Sequence, residues 1–105
     1  MQEKIKTCKD LVVFTKSFES AMGIFRLTGK FPKEERYSLI DQMRRSSRSI
    51  PANIAECWAK RRFENVFKRH LLDSIGSCED VKVWLDFASK CKYIDEATYQ
   101  GCYEN

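Results

Sequence analysis

Apolar residues recur along this chain at helical spacing. At about 100° per residue, Leu11, Phe14, Phe18, Met22 and Phe25 share one narrow stripe. Lys9, Lys16, Glu19 and Arg26 fall elsewhere, so the segment reads as an amphipathic helix over about 9–29. Thr28-Gly29-Lys30-Phe31-Pro32 ends it. Gly29 suits a left-handed C′ position, and Pro32 blocks continuation. The next helix opens with Lys33-Glu34-Glu35, acidic where the helix dipole favours it. Its stripe is Leu39, Ile40, Met43, Ser47, Ile50, Ile54, Cys57 and Trp58. Ile50 and Ile54 keep the phase of Leu39 and Met43 across Pro51, which predicts one helix over 33–59, kinked at Pro51. Ser46, Ser47 and Ser49 stand close enough to satisfy groups the proline frees.

The phase then jumps. From Phe63 the stripe is Phe63, Phe67, Leu71, Ser74, Cys78, Val81, Leu85 and Ala88, largely in heptad spacing, which suits helix-on-helix packing. The chain must turn between Trp58 and Phe63, and a third helix is expected over 62–92, closed by Lys90-Cys91-Lys92. Asp95 is a suitable N-cap for a fourth over 95–104, with Ile94 and Tyr99 placed as a hydrophobic staple. Four amphipathic helices with short connections predict a single all-α domain spanning 1–105, an antiparallel up-down-up-down four-helix bundle.

Composition agrees with that picture. The 105 residues fit one domain, and 43% apolar with 12% aromatic residues can build a core. No apolar run approaches the roughly 18 residues of a membrane span. The polar segment Met1 to Asp10 lacks a signal peptide's apolar stretch, so a cytoplasmic address without membrane contact is expected. Cys8, Cys57, Cys78, Cys91 and Cys102 are odd in number and never spaced as CxxC. Reduced, mostly buried thiols are expected, and no metal or cofactor is implied.

Some apolar residues exceed what the stripes need. Val66, Trp84, Phe87 and Cys91 form a second strip on the third helix, expected to be buried between subunits unless that helix is central in a wide bundle. The basic residues gather as well. Arg44, Arg45 and Arg48 lie on one side of the second helix, Lys60, Arg61 and Arg62 form the turn, and Lys68 and Arg69 follow. Taken together near one junction, they read either as a solvated basic face or as contacts to nucleic-acid phosphates, from RNA or DNA. Phe63 and Phe67 interleave with them but belong to the expected core. An enzyme is not expected. His70, the only histidine, sits on an apolar face, Glu56 and Glu79 make no convincing acid–base pair, and no glycine-rich phosphate loop exists.

One stretch carries a family pattern. Phe31-Pro32-Lys33-Glu34-Glu35-Arg36-Tyr37-Ser38-Leu39, then Gln42-Met43-Arg44-Arg45-Ser46, then Ser49-Ile50-Pro51-Ala52-Asn53-Ile54-Ala55-Glu56 resembles the four-helix bundle proteins encoded in intervening sequences of bacterial large-subunit ribosomal RNA genes. The likeness extends more weakly from Asp10 to Ile94. It departs where the family has Gly after Asn-Ile-Ala-Glu and this chain has Cys57 and Trp58. It departs again where the family has Trp in the first helix and this chain has Val13 and Phe14. The resemblance implies a ring-like homopentamer without catalytic activity. The accessory variability determinant proteins of diversity-generating retroelements share that architecture and bind a reverse transcriptase and nucleic acid. The resemblance thus implies an RNA- or ribonucleoprotein-associated accessory protein, or alternatively a scaffold for a reverse transcriptase. In the matched motif Pro51, Asn53 and Glu56 are expected to serve the fold or the interface.

Overall fold

The longest run of one-sided helical pattern, from Leu39 to Trp58, becomes the element the others lean on. In the computed structural model, residues 5–104 are described, with side chains for 5–102. The first four residues of the segment read above for a signal peptide lie outside the described residues, as does Asn105. The helices are α1 (Val12–Thr28), α2 (Leu39–Ala59), α3 (Glu64–Lys90) and α4 (Glu96–Glu104), with 3-10 turns at Cys8–Asp10 and Lys33–Glu35. No strand occurs among the described residues, and the fold is all-α with four helices.

α2 buries Leu39, Ile40, Met43, Ser47, Pro51, Ile54 and Cys57, close to the expected stripe, and runs unbroken through Pro51. α3 packs along it in antiparallel register. The paired residues are Ser46 with Trp84, Ser49 with Ser77, Ile50 with Ser74, Asn53 with His70 and Cys57 with Phe67. Ser46 and Ser49 thus bond across to α3 and Ser47 donates to the Arg44 carbonyl within α2, where the sequence suggested the three would satisfy groups freed at Pro51. α1 lies on the other side of α2, and its backbone does not approach that of α3.

This arrangement overturns the expected core face of α1. Ala21, Ile24 and Thr28 are buried, whereas Phe18 is 52% exposed and Met22 and Phe25 are also exposed. The buried face is rotated by about one residue, or about 100°, from the stripe of large side chains. Small Ala21 and Thr28 let α1 lie close to α2. The Thr28 hydroxyl is satisfied there, donating to the Ile24 carbonyl at 2.8 Å. The large residues point where no second layer of helix stands. Phe63 and Leu71, also expected in the core, are exposed for the same reason.

Gly29 is a further correction. It is right-handed (φ −62, ψ −18), and α1 unwinds through tight turns in which Lys30 and Phe31 donate to the Leu27 and Thr28 carbonyls. A left-handed residue does end α3, at Lys92 (φ 62). Lys92 and Tyr93 donate to the Ser89 and Ala88 carbonyls, the paired bonds of a Schellman motif with lysine where glycine is usual. Asp95 then caps α4 by accepting from the Thr98 amide at 2.8 Å. This lowers the Asp95 pKa, the bonds from Thr98 being the main cause.

The core gathers at the end where α4 lies. Ile24, Phe31, Leu39, Ile40, Met43, Leu85, Ala88 and Ile94 form one buried cluster, flanked by Leu27, Val81, Trp84, Tyr93, Tyr99 and Cys102. Glu35 ties this end together. Its carboxylate accepts from the Ser38 hydroxyl, from the Tyr93 phenol at 2.8 Å and from the Leu39 amide at 3.4 Å. The Ser38 bond, with help from Tyr93, holds the Glu35 pKa below its usual value, and the same carboxylate pushes Tyr93 up to about 12. α4 has only nine residues, about 13 Å of helix, against about 40 Å for the 27 residues of α3. A groove of about 690 Å³ stays open between α1 and α3, floored by Ser47 and Ile50 and bordered by Thr98 and Cys102 of α4.

Candidate nucleic-acid interface

A helix rises about 1.5 Å per residue, so Arg48 and Lys60 stand about 18 Å apart along α2 and its end. The eight basic residues therefore form two clusters, where the sequence suggested a single junction. Their partners differ too.

In the first cluster, Arg44 is part of the scaffold. Its Nε donates to Thr28 Oγ1 at 2.9 Å and a terminal nitrogen donates to the Phe25 carbonyl at 3.2 Å. Its guanidinium also lies 4.4 Å from the centre of the Phe25 ring, which Arg48 approaches at 5.7 Å. Arg44 thus satisfies carbonyl and hydroxyl oxygens near the end of α1 and joins α1 to α2. Arg45 is exposed and makes only a long 3.8 Å contact to Asp41 one turn back.

The second cluster surrounds the α2–α3 turn. Lys60 pairs with Glu56 at 2.8 Å and Lys68 with Glu64 at 3.0 Å. Lys60 holds the Glu56 pKa below its usual value, through its hydrogen bond and then its charge. Arg61 folds back on α2: its guanidinium is 3.9 Å from the centre of the Trp58 ring, and Nη1 donates to the Trp58 carbonyl at 2.7 Å. Arg62 and Arg69 are exposed and have no ion-pair partner among the described residues. This end therefore keeps free positive charge in a compact space, a feature that counting charges cannot reveal.

The motif residues lie in the polar seam between α2 and α3. Asn53 donates through Nδ2 to the Ser49 carbonyl at 2.9 Å, which leaves Oδ1 to accept from His70 Nδ1 at 3.0 Å. His70 is thereby engaged within the fold. Pro51 is buried against α1, and Glu56 reaches only Lys60. The recurrence of serine in α2 and α3, at Ser46, Ser49, Ser74 and Ser77, was the signal for this seam.

The strip proposed as a subunit interface is divided. Trp84 packs against the core cluster and donates from Nε1 to Ser46 Oγ at 3.1 Å. Phe87 is tilted against the Trp84 ring at 6.0 Å and is 54% exposed, and Val66 and Cys91 are exposed. Sequence reasoning missed a second apolar surface. A groove of about 370 Å³ runs between α1 and α2, lined by Phe14, Phe18, Met22, Pro51, Ala52 and Ala55. The α1 stripe assigned to the core was its trace.

All five cysteines are free, and only Cys57 is buried, which corrects the expectation that most would be. Cys57, Cys78 and Cys102 have their pKa values raised by burial, away from thiolate chemistry. Among the described residues no group of three His, Cys, Asp or Glu side chains is placed to hold a metal. None of their helices is long and apolar enough to cross a membrane.

These features define a class: a small all-α protein of four helices, basic at its hairpin end and polar along the α2–α3 seam. Residues 9–105 match the family described as 23S rRNA-intervening sequence protein, and the chain belongs to that family. A comparison with curated proteins finds no match.

Proposed function

We propose that this chain is a non-enzymatic, self-associating accessory protein that binds RNA through phosphate contacts at the α2–α3 turn. The observation that carries the reading is the pair Arg62 and Arg69, exposed and without acidic partners in a cluster that also holds Lys60, Arg61 and Lys68. Membership in a family named for ribosomal RNA intervening sequences supports RNA as the polyanion. Phosphate contacts need charge and little geometry, so binding is weakly sequence-selective and falls steeply with salt.

Self-association rests on surface. The chain exposes 7916 Å², whereas a folded monomer of 12.4 kDa exposes about 6,100 Å². Its radius of gyration is 15.3 Å, against about 13 Å for a compact chain of this length. The excess reflects an open arrangement that leaves apolar faces uncovered, as a subunit of a ring would before assembly. The apolar α1–α2 groove and the Phe87 side of α3 are the surfaces that would meet. A ring of five, as the resemblance implies, would repeat the basic turn and let weak contacts add along one RNA.

The test joins mass and binding. Light scattering should give a multiple of 12.4 kDa, and a clean monomer at micromolar concentration would remove the ring. Structured RNA should bind at about 50 mM salt and release at about 200 mM. The double reversal Arg62→Glu and Arg69→Glu should abolish binding without changing the mass. Arg44 is unsuitable for that test because its loss would loosen α1. Failure to bind RNA or duplex DNA at low salt would leave the cluster to an acidic protein surface, such as that of a reverse transcriptase.

A further inference from the structure

Phe63 occupies the N-cap of α3, where Ser, Thr, Asp or Asn would ordinarily accept a hydrogen bond from the first turn. It makes no such bond, its backbone is extended (φ −107, ψ 93), and its side chain is 65% exposed. In the isolated chain it contributes neither a cap nor much to a core. Its setting is charged. Arg62 precedes it, Lys68 and Arg69 follow within two turns, and the Arg61 guanidinium sits 3.9 Å from the centre of the Trp58 ring. Lys60, Arg61, Arg62, Lys68 and Arg69 are opposed by Glu56 and Glu64 alone within this segment, five positive charges against two.

Exposed aromatic rings beside unpaired guanidinium groups are the combination that unstacked nucleobases require. The ring supplies a face, and the cations hold the flanking phosphates. A duplex offers the phosphates but keeps its base faces stacked inside. We propose that the α2–α3 turn is a stacking site for unpaired bases of single-stranded RNA, with Phe63 as the platform and Arg62 and Arg69 on the neighbouring phosphates. The proposal rests on the RNA reading above and narrows it to one strand state.

The experiment compares an unstructured RNA of about 20 nucleotides with a blunt RNA duplex of the same length, at about 100 mM salt. Phe63→Ala should lower single-strand affinity about tenfold and change duplex affinity by less than about twofold. Phe63→Tyr should retain single-strand binding. Circular dichroism and light-scattering mass should be the same for all three proteins. Equal losses on single strand and duplex, or no loss on either, would overturn the stacking site while leaving phosphate binding in place. A fall in mass for Phe63→Ala would also overturn it, because the ring would then be packing on a second copy. Wild-type protein that binds neither RNA would sink both this inference and the reading beneath it.

Discussion

The two ends of the molecule use the same helices to opposite effect. Where α4 lies, that fourth helix packs on α3, the turns at Phe31 and Ile94 add to the cluster, and Leu39, Ile40, Met43 and Leu85 are buried. At the hairpin end there is no fourth helix; α2 still buries Ile54 and Cys57, but Phe63 at the N-cap of α3 and Leu71, Leu72 and Ile75 along it stand exposed. On α3 the apolar residues that no other helix covers stay exposed, and such a face is available to something else. The basic residues divide in the same way. Arg44 is bonded into the α1–α2 contact, while Arg62 and Arg69 stay free at the open end.

The largest expected difference is in packing. Met43 has 0% of its surface exposed, and Met43→Ala should cost about 2–5 kcal/mol in urea unfolding. Leu72 is 68% exposed, and Leu72→Ala should change stability by less than about 0.5 kcal/mol. Equal costs would show that the hairpin end is as tightly packed as the other.

The arginines give a smaller contrast. Arg44→Ala removes two charge-assisted hydrogen bonds and the contact with Phe25, and should cost about 2 kcal/mol. Arg62→Ala should fall within about 0.5 kcal/mol of wild type. A costly Arg62→Ala would assign that residue to the scaffold as well.

A third test uses pH and addresses only the packed end. Tyr93 has a raised pKa because its phenol donates a hydrogen bond to the Glu35 carboxylate, so its contribution is complete below the ordinary phenol value of 10.0 and is lost as pH climbs through about 12. Glu35 has a lowered pKa, so its contribution is present above the ordinary 4.5 and is lost as pH falls below that value. Tyr93→Phe should flatten the alkaline arm of a stability-versus-pH curve and weaken the acid arm. Curves that superimpose across both arms would mean that the bond is not formed in solution. The smallest effect is expected at Lys92. Lys92→Gly relieves the left-handed backbone but loosens the unfolded chain, for a net gain of about 0.5 kcal/mol in urea unfolding. A loss of stability would mean the lysine side chain supports the turn.

Helical periodicity made the four elements legible, and it succeeded best where neighbours lie on two sides. The α2 stripe from Leu39 to Cys57 is the buried face because α1 and α3 both pack on that helix. On α1 the same method selected Phe14, Phe18, Met22 and Phe25. Periodicity reports which face is apolar, whereas burial depends on which face is covered. Phe63 kept the phase of Phe67 but left the helix at its cap, so its phase carried no information about its surroundings. Trp84 looked surplus because its bond to Ser46 joins residues 38 positions apart. The basic residues were identifiable by type. Their division into two clusters depends on the length of α2, and Arg44's role depends on the position of α1, which no local pattern encodes.

Among α1 to α4, backbones approach closely only between neighbours in the chain, α1 with α2, α2 with α3 and α3 with α4, and the Cys8–Asp10 turn adds one longer-range approach to α2. Each contact between neighbouring helices closes over a short connection, so little loop entropy is lost before packing begins to stabilise the fold. Chains dominated by local contacts reach the native state in microseconds to milliseconds. Folding of the subunit should therefore be quick and independent of protein concentration. Any slow, concentration-dependent phase would report the later meeting of completed subunits.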